Sequence, residues 1–173
     1  MGDVSMMCPK CNSLMNCKTG RHHYKESGVD NVYLEGIETF SCTCGEKIIV
    51  IPSIPELHST IGRFLLRKRS LLNGKEIRFL RKNMGLTAKK LAGYIGVDNA
   101  SISRWENNKM AITKPHDLLF RIVYASIKEI PSVEIKNIIE DDFKKIQPRQ
   151  KKTIRRIISR DQWSKSEAAC LAL

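Results

Sequence analysis

The sequence predicts an α+β protein in which a small β-rich N-terminal part precedes an all-helical remainder. Two observations carry this prediction. Residues 32–51 (VYLEGIETFSCTCGEKIIVI) are rich in Val, Ile, Tyr and Phe and contain the turn residues Gly36 and Gly45, a composition typical of short strands. From Glu56 onward, apolar residues recur at helical spacing in one segment after another, which indicates amphipathic helices.

Each element has its own local signals. Pro52 and Pro55 end the β-rich part, and a connecting helix follows over residues 56–73, where Asn73-Gly74 breaks it. Helix caps and terminating glycines then divide the chain into short helices. These are predicted at residues 75–84, ended by Gly85; at 87–95, opened by Thr87 and ended by Gly96; and at 98–107, opened by Asp98; further helices are predicted at 115–125, 132–146 and 150–159.

The formal net charge of the 173-residue chain is +12, and it is unevenly distributed. Residues 1–60 carry five Lys or Arg against seven Asp or Glu, whereas residues 61–110 carry twelve against three. Basic surfaces attract polyanions, nucleic acid most often and membrane surfaces less so. We therefore predict nucleic-acid binding by the middle of the chain. Because the sequence shows neither a signal peptide nor a membrane-spanning segment, we expect a cytoplasmic protein without membrane contact.

Two cysteine pairs predict a zinc site. Cys8 and Cys11 lie in CPKC, and Cys42 and Cys44 lie in CTCG after a strand-rich stretch that can fold back on itself. Four thiolates offer Zn²⁺ its preferred tetrahedral shell, and paired cysteines in a reducing compartment bind metal more often than they form disulfides. A module with few large apolar residues also gains stability directly from a bound ion.

The spacer of the second pair is one residue, with Ser41 at the place where a two-residue spacer would put a cysteine. Cys17, His22 and His23 are therefore alternative ligands, although we expect Cys17 and Cys170 to be ordinary cysteines and both histidines to be solvated loop residues. Redox chemistry at C-x-x-C needs a thioredoxin-like βαβ setting that is missing here. A zinc hydrolase needs an open metal position, which four thiolates close. We predict no enzymatic activity.

The three short helices predict a helix-turn-helix module, because a tight turn with Gly96 joins the second helix to the third. The third helix would lie in the major groove of DNA, with Ile102 and Trp105 facing the core. Its outer residues are the predicted base contacts, namely Asn99, Ala100, Ser101 and Arg104. Phosphate contacts, which orient a protein without reading sequence, are predicted at Thr87, Lys89, Lys90, Asn107 and Lys109.

These residues carry a family resemblance. The stretch EIRFLRKNMGLTAKKLAGYIGVDNASISRWENNK resembles the Cro/CI-type (XRE-like) helix-turn-helix signature, most specifically in LAGYIGV and SRWEN. Together with CPKC, CGE and VYLEGIETFSC, it makes residues 6–126 similar to the MqsA-type antitoxins, also called YgiT-type zinc-finger regulators. The resemblance implies a homodimer that represses its own promoter at a palindromic operator in double-stranded DNA. It also implies a Zn²⁺-bearing N-terminal domain that, in true antitoxins, masks a toxin ribonuclease.

The resemblance further implies a buried ion pair between Arg81 and Glu106, which ties the first helix of the module to the end of the third. Two positions depart from the family pattern. Ala88 stands where a Gln usually anchors a phosphate, and Asn108 replaces the Gly of the usual E-N-G-K turn. The second change is mild because Asn tolerates positive φ.

We accordingly predict four segments: a zinc-binding β-rich domain at 1–55, the connecting helix at 56–73, an XRE-like helix-turn-helix DNA-binding domain at 74–128 and a helical C-terminal extension at 129–173. The predicted function is that of a sequence-specific transcriptional regulator, an autorepressor and the antitoxin of a type II toxin–antitoxin pair. The alternative is a stand-alone or prophage repressor without a toxin partner. The basic run at 148–160 is either an amphipathic helix that packs in the dimer and adds DNA contacts or a solvated basic face. Binding to a membrane surface is a third alternative, which the lack of an aromatic residue disfavours.

Overall fold

The computed structural model describes residues 5–143 and 155–164, and it confirms the α+β fold class. Its elements are β1 (Asn16–His23), β2 (Val32–Ser41), β3 (Lys47–Val50), α1 (Ile54–Leu66), α2 (Gly74–Asn83), α3 (Ala88–Ile95), α4 (Asn99–Glu106), α5 (Lys114–Ile127), α6 (Ser132–Asn137) and β4 (Arg156–Ser159). Single 3-10 turns occupy Lys25–Ser27 and Arg160–Gln162, and a π-helical segment at Ile138–Phe143 follows α6. No described helix is long and apolar enough to cross a bilayer.

The described residues divide into two compact units. The first comprises residues 5–25, 31–57 and 155–164, and the second comprises 26–30 and 58–143. The first unit contains all four strands, whereas α2 to α6 belong to the second. The first unit is therefore discontinuous in sequence, since the chain leaves it after the sheet strands and returns to it at residue 155.

The sheet of the first unit is organised around β2, which pairs with each of the other three strands. β1 and β3 are antiparallel to β2, and β4 is parallel to it, in a register that sets Val32 opposite Arg156. The register with β1 shifts between two pairs: Gly20 faces Ile37, and His22 faces Leu34. Between these pairs β2 therefore has one residue more than β1. Gly36 accommodates this bulge with a φ of 73°, a value that glycine adopts without steric cost.

β4 is the largest departure from the sequence-based expectation. A helix over residues 150–159 was expected as part of a helical extension, but residues 156–159 form a strand, and 144–154 lie outside the described residues. Ile158 is fully buried and its neighbour Ile157 is 45% exposed, as the alternation of a strand requires. The spacing of the isoleucines would also suit a helix, but β-branched residues favour a strand. Hydrogen bonding to β2 therefore determines the conformation of this segment.

β1 corrects a second expectation. His22 and His23 were expected in a solvated loop, but both lie on this strand and are half-buried. The ring of His23 stacks on Tyr33 of β2, with ring centroids 4.6 Å apart and an interplanar angle of 14°. Cross-strand ring pairs of this kind stabilise antiparallel strands.

The helices of the second unit lie close to their predicted positions, although α6 is shorter than the predicted 132–146. Asn73 both ends the preceding segment and caps α2. Its side chain accepts a hydrogen bond from the Glu76 amide at 3.0 Å, and Glu76 accepts one from the Asn73 amide at 2.9 Å, which is a capping box. Gly74 begins the helix because a Cβ there would lie 2.4 Å from the carbonyl oxygens of Trp105 and Glu106.

The connecting helix ends at Leu66, earlier than the predicted end at residue 73, because a side chain of α5 binds the carbonyls that a longer helix would use. The buried Arg121 guanidinium donates to the carbonyl oxygens of Leu66, Lys68 and Ser70, at 2.6, 2.8 and 3.0 Å. Arg121 also donates to Asp117 at 2.8 Å, so its charge is paired. Buried charges need such pairing, and here it fixes the segment between α1 and α2.

Candidate metal centre and candidate nucleic-acid interface

The first cysteine pair lies in a tight turn before β1. The Cys8 amide donates to the Ser13 carbonyl at 2.8 Å, and the Asn12 amide donates to the Cys8 carbonyl at 2.9 Å. Asn12 has a φ of 61°, a left-handed conformation that Asn tolerates better than most residues. The turn places Cys8 and Cys11 on the same side of the chain reversal.

The second pair lies in the turn that joins β2 to β3. The Cys42 amide donates to the Glu46 carbonyl at 2.9 Å, and the Gly45 amide donates to the Cys42 carbonyl at 3.0 Å. Gly45 has a φ of 91°, which only glycine adopts readily. The one-residue spacer between Cys42 and Cys44 is therefore compatible with a closed turn that presents both sulfurs.

The four sulfurs of Cys8, Cys11, Cys42 and Cys44 come together, all within 4.8 Å of one another. The Cys8 and Cys44 sulfurs are 3.5 Å apart, and those of Cys11 and Cys42 are 3.4 Å apart. A tetrahedral ion with metal–sulfur bonds of about 2.3 Å separates its ligands by about 3.8 Å. The cluster is thus a candidate metal site with the donor set and the spacing for four-thiolate coordination.

The pKa values of the cluster thiols shift in opposite directions. The hydroxyl and the backbone amide of Ser13 donate to the Cys11 sulfur, and together with the Cys42 and Cys44 thiols they lower the pKa of Cys11 to about 6. The Glu46 amide acts to lower the pKa of Cys44, but the neighbouring thiols and desolvation outweigh it and raise that pKa to about 12. Four such close sulfurs become thiolates together only around a cation.

The alternative ligands do not belong to this cluster. His22 and His23 lie on β1, and the four-cysteine group is complete without them. Cys17 is disulfide-bonded and, as expected, is not one of the four clustered cysteines.

Few apolar residues surround the cluster. Cys8 itself, Met15 and Phe40 form its buried hydrophobic core. Partly buried neighbours complete the packing: Met6, Cys17, Cys42, Ile48 and Val50. A core this small contributes little hydrophobic stabilisation beside the cluster.

In the second unit, α3 and α4 are joined by a short turn whose residues fix both helix ends. The Thr87 side chain caps α3 by accepting from the Lys90 amide at 3.2 Å, and Gly96 ends α3 in a left-handed conformation with a φ of 73°. Asp98 caps α4 by accepting from the Ser101 amide at 2.7 Å. The predicted caps are confirmed, and they fix the end of α3 and the start of α4.

α4 has one buried face and one exposed face. Ile102 and Trp105 are buried, as predicted, at 0% and 3% exposure. Of the predicted base contacts, Asn99, Ala100 and Arg104 are exposed. Ser101 is half-buried, and its hydroxyl donates to Asp98 at 2.8 Å, so that its hydrogen is already used within the cap.

The predicted phosphate contacts fall into two groups. Lys89, Lys90 and Lys109 are exposed and form no ion pair within residues 5–143 and 155–164. Thr87 and Asn107 are exposed as well, but their side chains also bind within the protein, Thr87 as a helix cap and Asn107 to the Ser103 carbonyl at 2.8 Å. Lys89 and Lys90 precede α4 in the chain and Lys109 follows it, so exposed positive charges flank this helix in sequence.

A helix-turn-helix family model matches residues 77–116. These residues form a helix-turn-helix segment. The match covers α3, α4 and most of α2 and thus supports a DNA-binding transcriptional regulator. No curated protein and no solved structure matches the chain.

Within the helix-turn-helix segment, α2 is ion-paired to the end of α4. Arg81 donates to both carboxylate oxygens of the buried Glu106, with a distance of 3.0 Å at Oε2. This is the pair that the resemblance implies. Its hydrogen bonds to Glu106 are the largest cause of the raised pKa of Arg81. Asn108 has a φ of 53°, and its side chain accepts from the Gly74 amide at 3.0 Å.

Sequence reasoning missed three residues of these arrangements. Arg78 is a second arginine on Glu106, at 3.2 Å, and Asp117 with Arg121 forms the buried pair under α5. An arginine and an acid four residues apart signal a helical pair, but nothing in that spacing indicates burial. The backbone groups that bind Asp117 and Arg121 lie 45 to 55 residues away in the chain.

Proposed function

We propose that the protein is a non-enzymatic, sequence-specific DNA-binding transcriptional regulator of the cytoplasm, with an N-terminal unit stabilised by zinc. The observation that carries this proposal is the division of α4 into a core face and an exposed face. Ile102 and Trp105 fix the helix on one side, while Asn99, Ala100 and Arg104 are exposed on the other. The helix-turn-helix match over residues 77–116 supports it.

α4 would act as the recognition helix in the major groove. Asn pairs bidentately with adenine, Arg with guanine, and an Ala methyl packs against the thymine methyl. Asn99, Ala100 and Arg104 are assigned these roles. Ser101 would accept a hydrogen bond from a base, because its own hydrogen is donated to Asp98.

The cationic residues would supply affinity without sequence preference. Lys89, Lys90 and Lys109, with Thr87 and Asn107, would contact phosphates, and release of counterions makes such binding steeply dependent on salt. A homodimer would place two recognition helices about 34 Å apart, one helical turn of DNA. The operator is then a palindrome, for which the protein's own promoter is the first candidate.

The test is fluorescence anisotropy with fragments of the region upstream of the protein's own gene at several salt concentrations. Arg104→Ala should weaken binding to the best fragment about 10- to 100-fold, since a bidentate base contact contributes about 1–3 kcal/mol. Lys90→Met should weaken binding to all sequences alike and reduce the salt slope by about one. Absence of binding to every fragment at low salt would overturn the proposal.

We assign zinc to the four-cysteine cluster because four thiolates at tetrahedral spacing suit that ion and close its coordination shell. Cys8, Cys11, Cys42 and Cys44 would hold it, and it would stabilise the two turns without taking part in a reaction. Metal analysis of the purified protein should give one zinc per chain, lost in Cys8→Ser and retained in the control His23→Ala, which replaces an alternative ligand outside the cluster. A Cys8→Ser protein that keeps its zinc would rule the site out.

The finer assignment as an antitoxin is supported by the resemblance of the CPKC and CTCGE region to YgiT-type regulators. The first sixty residues carry a net charge of −2, which suits a basic toxin ribonuclease. Co-expression with the adjacent open reading frame should yield a complex that co-purifies through the first unit. If no adjacent frame encodes a protein that binds the chain, the role is that of a stand-alone or prophage repressor.

A further inference from the structure

The C-terminal end of α4 is bound by a second arginine, Arg78, in addition to Arg81. The Arg78 Nε donates to Glu106 at 3.2 Å, and its Nη2 donates to the Oδ1 of Asn107 at 2.8 Å. Glu106 is nearly buried, with 7% of its side chain exposed, whereas the Arg78 side chain is 43% exposed. Arg78 thus bridges the last residue of α4 and the residue that follows it.

Asn107 is held from both sides of its amide group. Its Nδ2 donates to the Ser103 carbonyl at 2.8 Å and, over a longer distance of 3.4 Å, to the Ser103 hydroxyl. The guanidinium of Arg78 only donates, so the oxygen of the amide faces Arg78 and the nitrogen faces Ser103. An amide nitrogen carries two protons, and the Ser103 carbonyl takes one of them. The second N–H has only the long contact with the Ser103 hydroxyl, beyond the usual 2.7–3.2 Å, and it belongs to an exposed residue directly after α4.

We propose that Arg78 is a positioning residue for DNA binding, which orients the Asn107 amide so that its second N–H donates to a DNA phosphate. Arg78 itself does not contact the DNA. This inference rests on the proposed function, because it assigns Asn107 to a phosphate at the end of α4. It adds a residue of α2, outside the turn and the recognition helix, to the parts that determine affinity.

An arginine is required at this position because two acceptors must be held at once. Its planar fork reaches Glu106 through one nitrogen and Asn107 through another, and a lysine with a single ammonium group cannot reproduce that geometry. Arg78→Lys therefore keeps the charge but removes the orientation. Arg78→Met removes both, and the pair of variants separates positioning from simple electrostatic attraction.

The first test uses the free protein and does not depend on DNA. In NMR spectra, the side-chain amide protons of Asn107 should shift and exchange faster with solvent in both Arg78→Lys and Arg78→Met than in the wild type. The side-chain amide of Asn99, on the same helix, serves as the control and should remain unchanged. Unchanged Asn107 signals in both variants would overturn the proposal.

The second test measures affinity for operator DNA against salt concentration. Arg78→Lys, Arg78→Met and Asn107→Ala should each weaken binding about three- to tenfold, the effect of one hydrogen bond. Combining Arg78→Lys with Asn107→Ala should weaken it no further. The salt slope should stay at the wild-type value in Arg78→Lys and Arg78→Met, whereas the control Lys90→Met lowers it by about one.

Two results in the second test would contradict the proposal. If Arg78→Lys binds as tightly as the wild type while Arg78→Met lowers the salt slope by about one, Arg78 contacts a phosphate directly. If both variants bind as the wild type does, Arg78 has no role in binding. Equal melting temperatures of the variants and the wild type exclude unfolding as the cause. A wild-type protein that binds no DNA overturns the proposed function, and the NMR result then still decides whether Arg78 orients Asn107.

Discussion

In the second unit, Gly62 allows close packing because it has no side chain. A Cβ at Gly62 of α1 would lie 1.9 Å from the Tyr124 hydroxyl of α5. That hydroxyl is buried and donates to Asn83 at 2.7 Å, and burial raises the pKa of Tyr124 to about 12. Tyr124 therefore needs both the empty space at Gly62 and the acceptor at Asn83.

Gly62→Ala should destabilise the second unit. The added methyl group would displace Tyr124 and its hydrogen bond, and overpacking of this kind costs about 1–3 kcal/mol. Denaturant unfolding followed by circular dichroism measures the change. Gly93→Ala on α3 is the matched control, because no atom lies within 4 Å of a Cβ there, and Ala favours a helix over Gly by about 1 kcal/mol. Equal stability changes in the two variants would contradict this account.

At the scale of elements, β4 shows what a short strand gains from its neighbours. Its Ile158 is buried beside β2, and the following turn buries Trp163, whose indole N–H donates to the Pro52 carbonyl at 3.1 Å. Arg160 donates to the nearly buried Glu38 of β2 at 2.8 Å. Ten described residues thereby complete a sheet whose other strands come from the first third of the chain.

The two faces of β4 give a paired prediction. Ile158→Ala should cost about 2–5 kcal/mol of the stability of the first unit, the range for a buried isoleucine. Ile157→Ala, at 45% exposure, should cost less than about 1 kcal/mol, the span of strand propensity. Hydrogen exchange of the β2 amides, read by mass spectrometry, reports both. A helix over 150–159 would remove this contrast between neighbouring residues.

Elements with local signals were predictable, and those with distant partners were not. Thr87, Gly96 and Asp98 indicate the start and end of α3 and the start of α4 from local sequence alone. The two cysteine motifs likewise indicate the candidate metal site. β4 depends on β2, more than a hundred residues away, and the early end of α1 depends on Arg121. Helical periodicity describes one chain segment at a time, so it cannot include contacts of that kind.

The whole chain is divided into two units, and each of them is assembled from segments that are separated in sequence. Each has its own stabilising centre. The first contains the four-cysteine cluster beside a few buried residues and the apolar side chains of the sheet, and the second contains the apolar helix faces and the buried pair of Asp117 and Arg121. The two units should therefore respond differently to conditions that act on only one of these centres.

Metal removal is such a condition. Chelation should unfold the first unit, since a structural zinc site contributes folding free energy directly, and should leave the helices of the second unit intact. Calorimetry of the metal-loaded and chelated protein should show one transition that disappears and a second, helical transition that persists at the same temperature. Joint loss of both transitions on chelation would show that the second unit depends on the first.

The separation of the sheet strands in sequence also affects the order in which the newly synthesised chain folds. Domains fold largely as units while the ribosome delivers the chain from its N-terminus. Glu38 and Arg160 are 122 residues apart, so the sheet that begins first is completed only after the whole helix-turn-helix segment has been synthesised. Pairing between such distant strands is intrinsically slow. A newly made chain should therefore have a folded DNA-binding segment before it has a finished sheet.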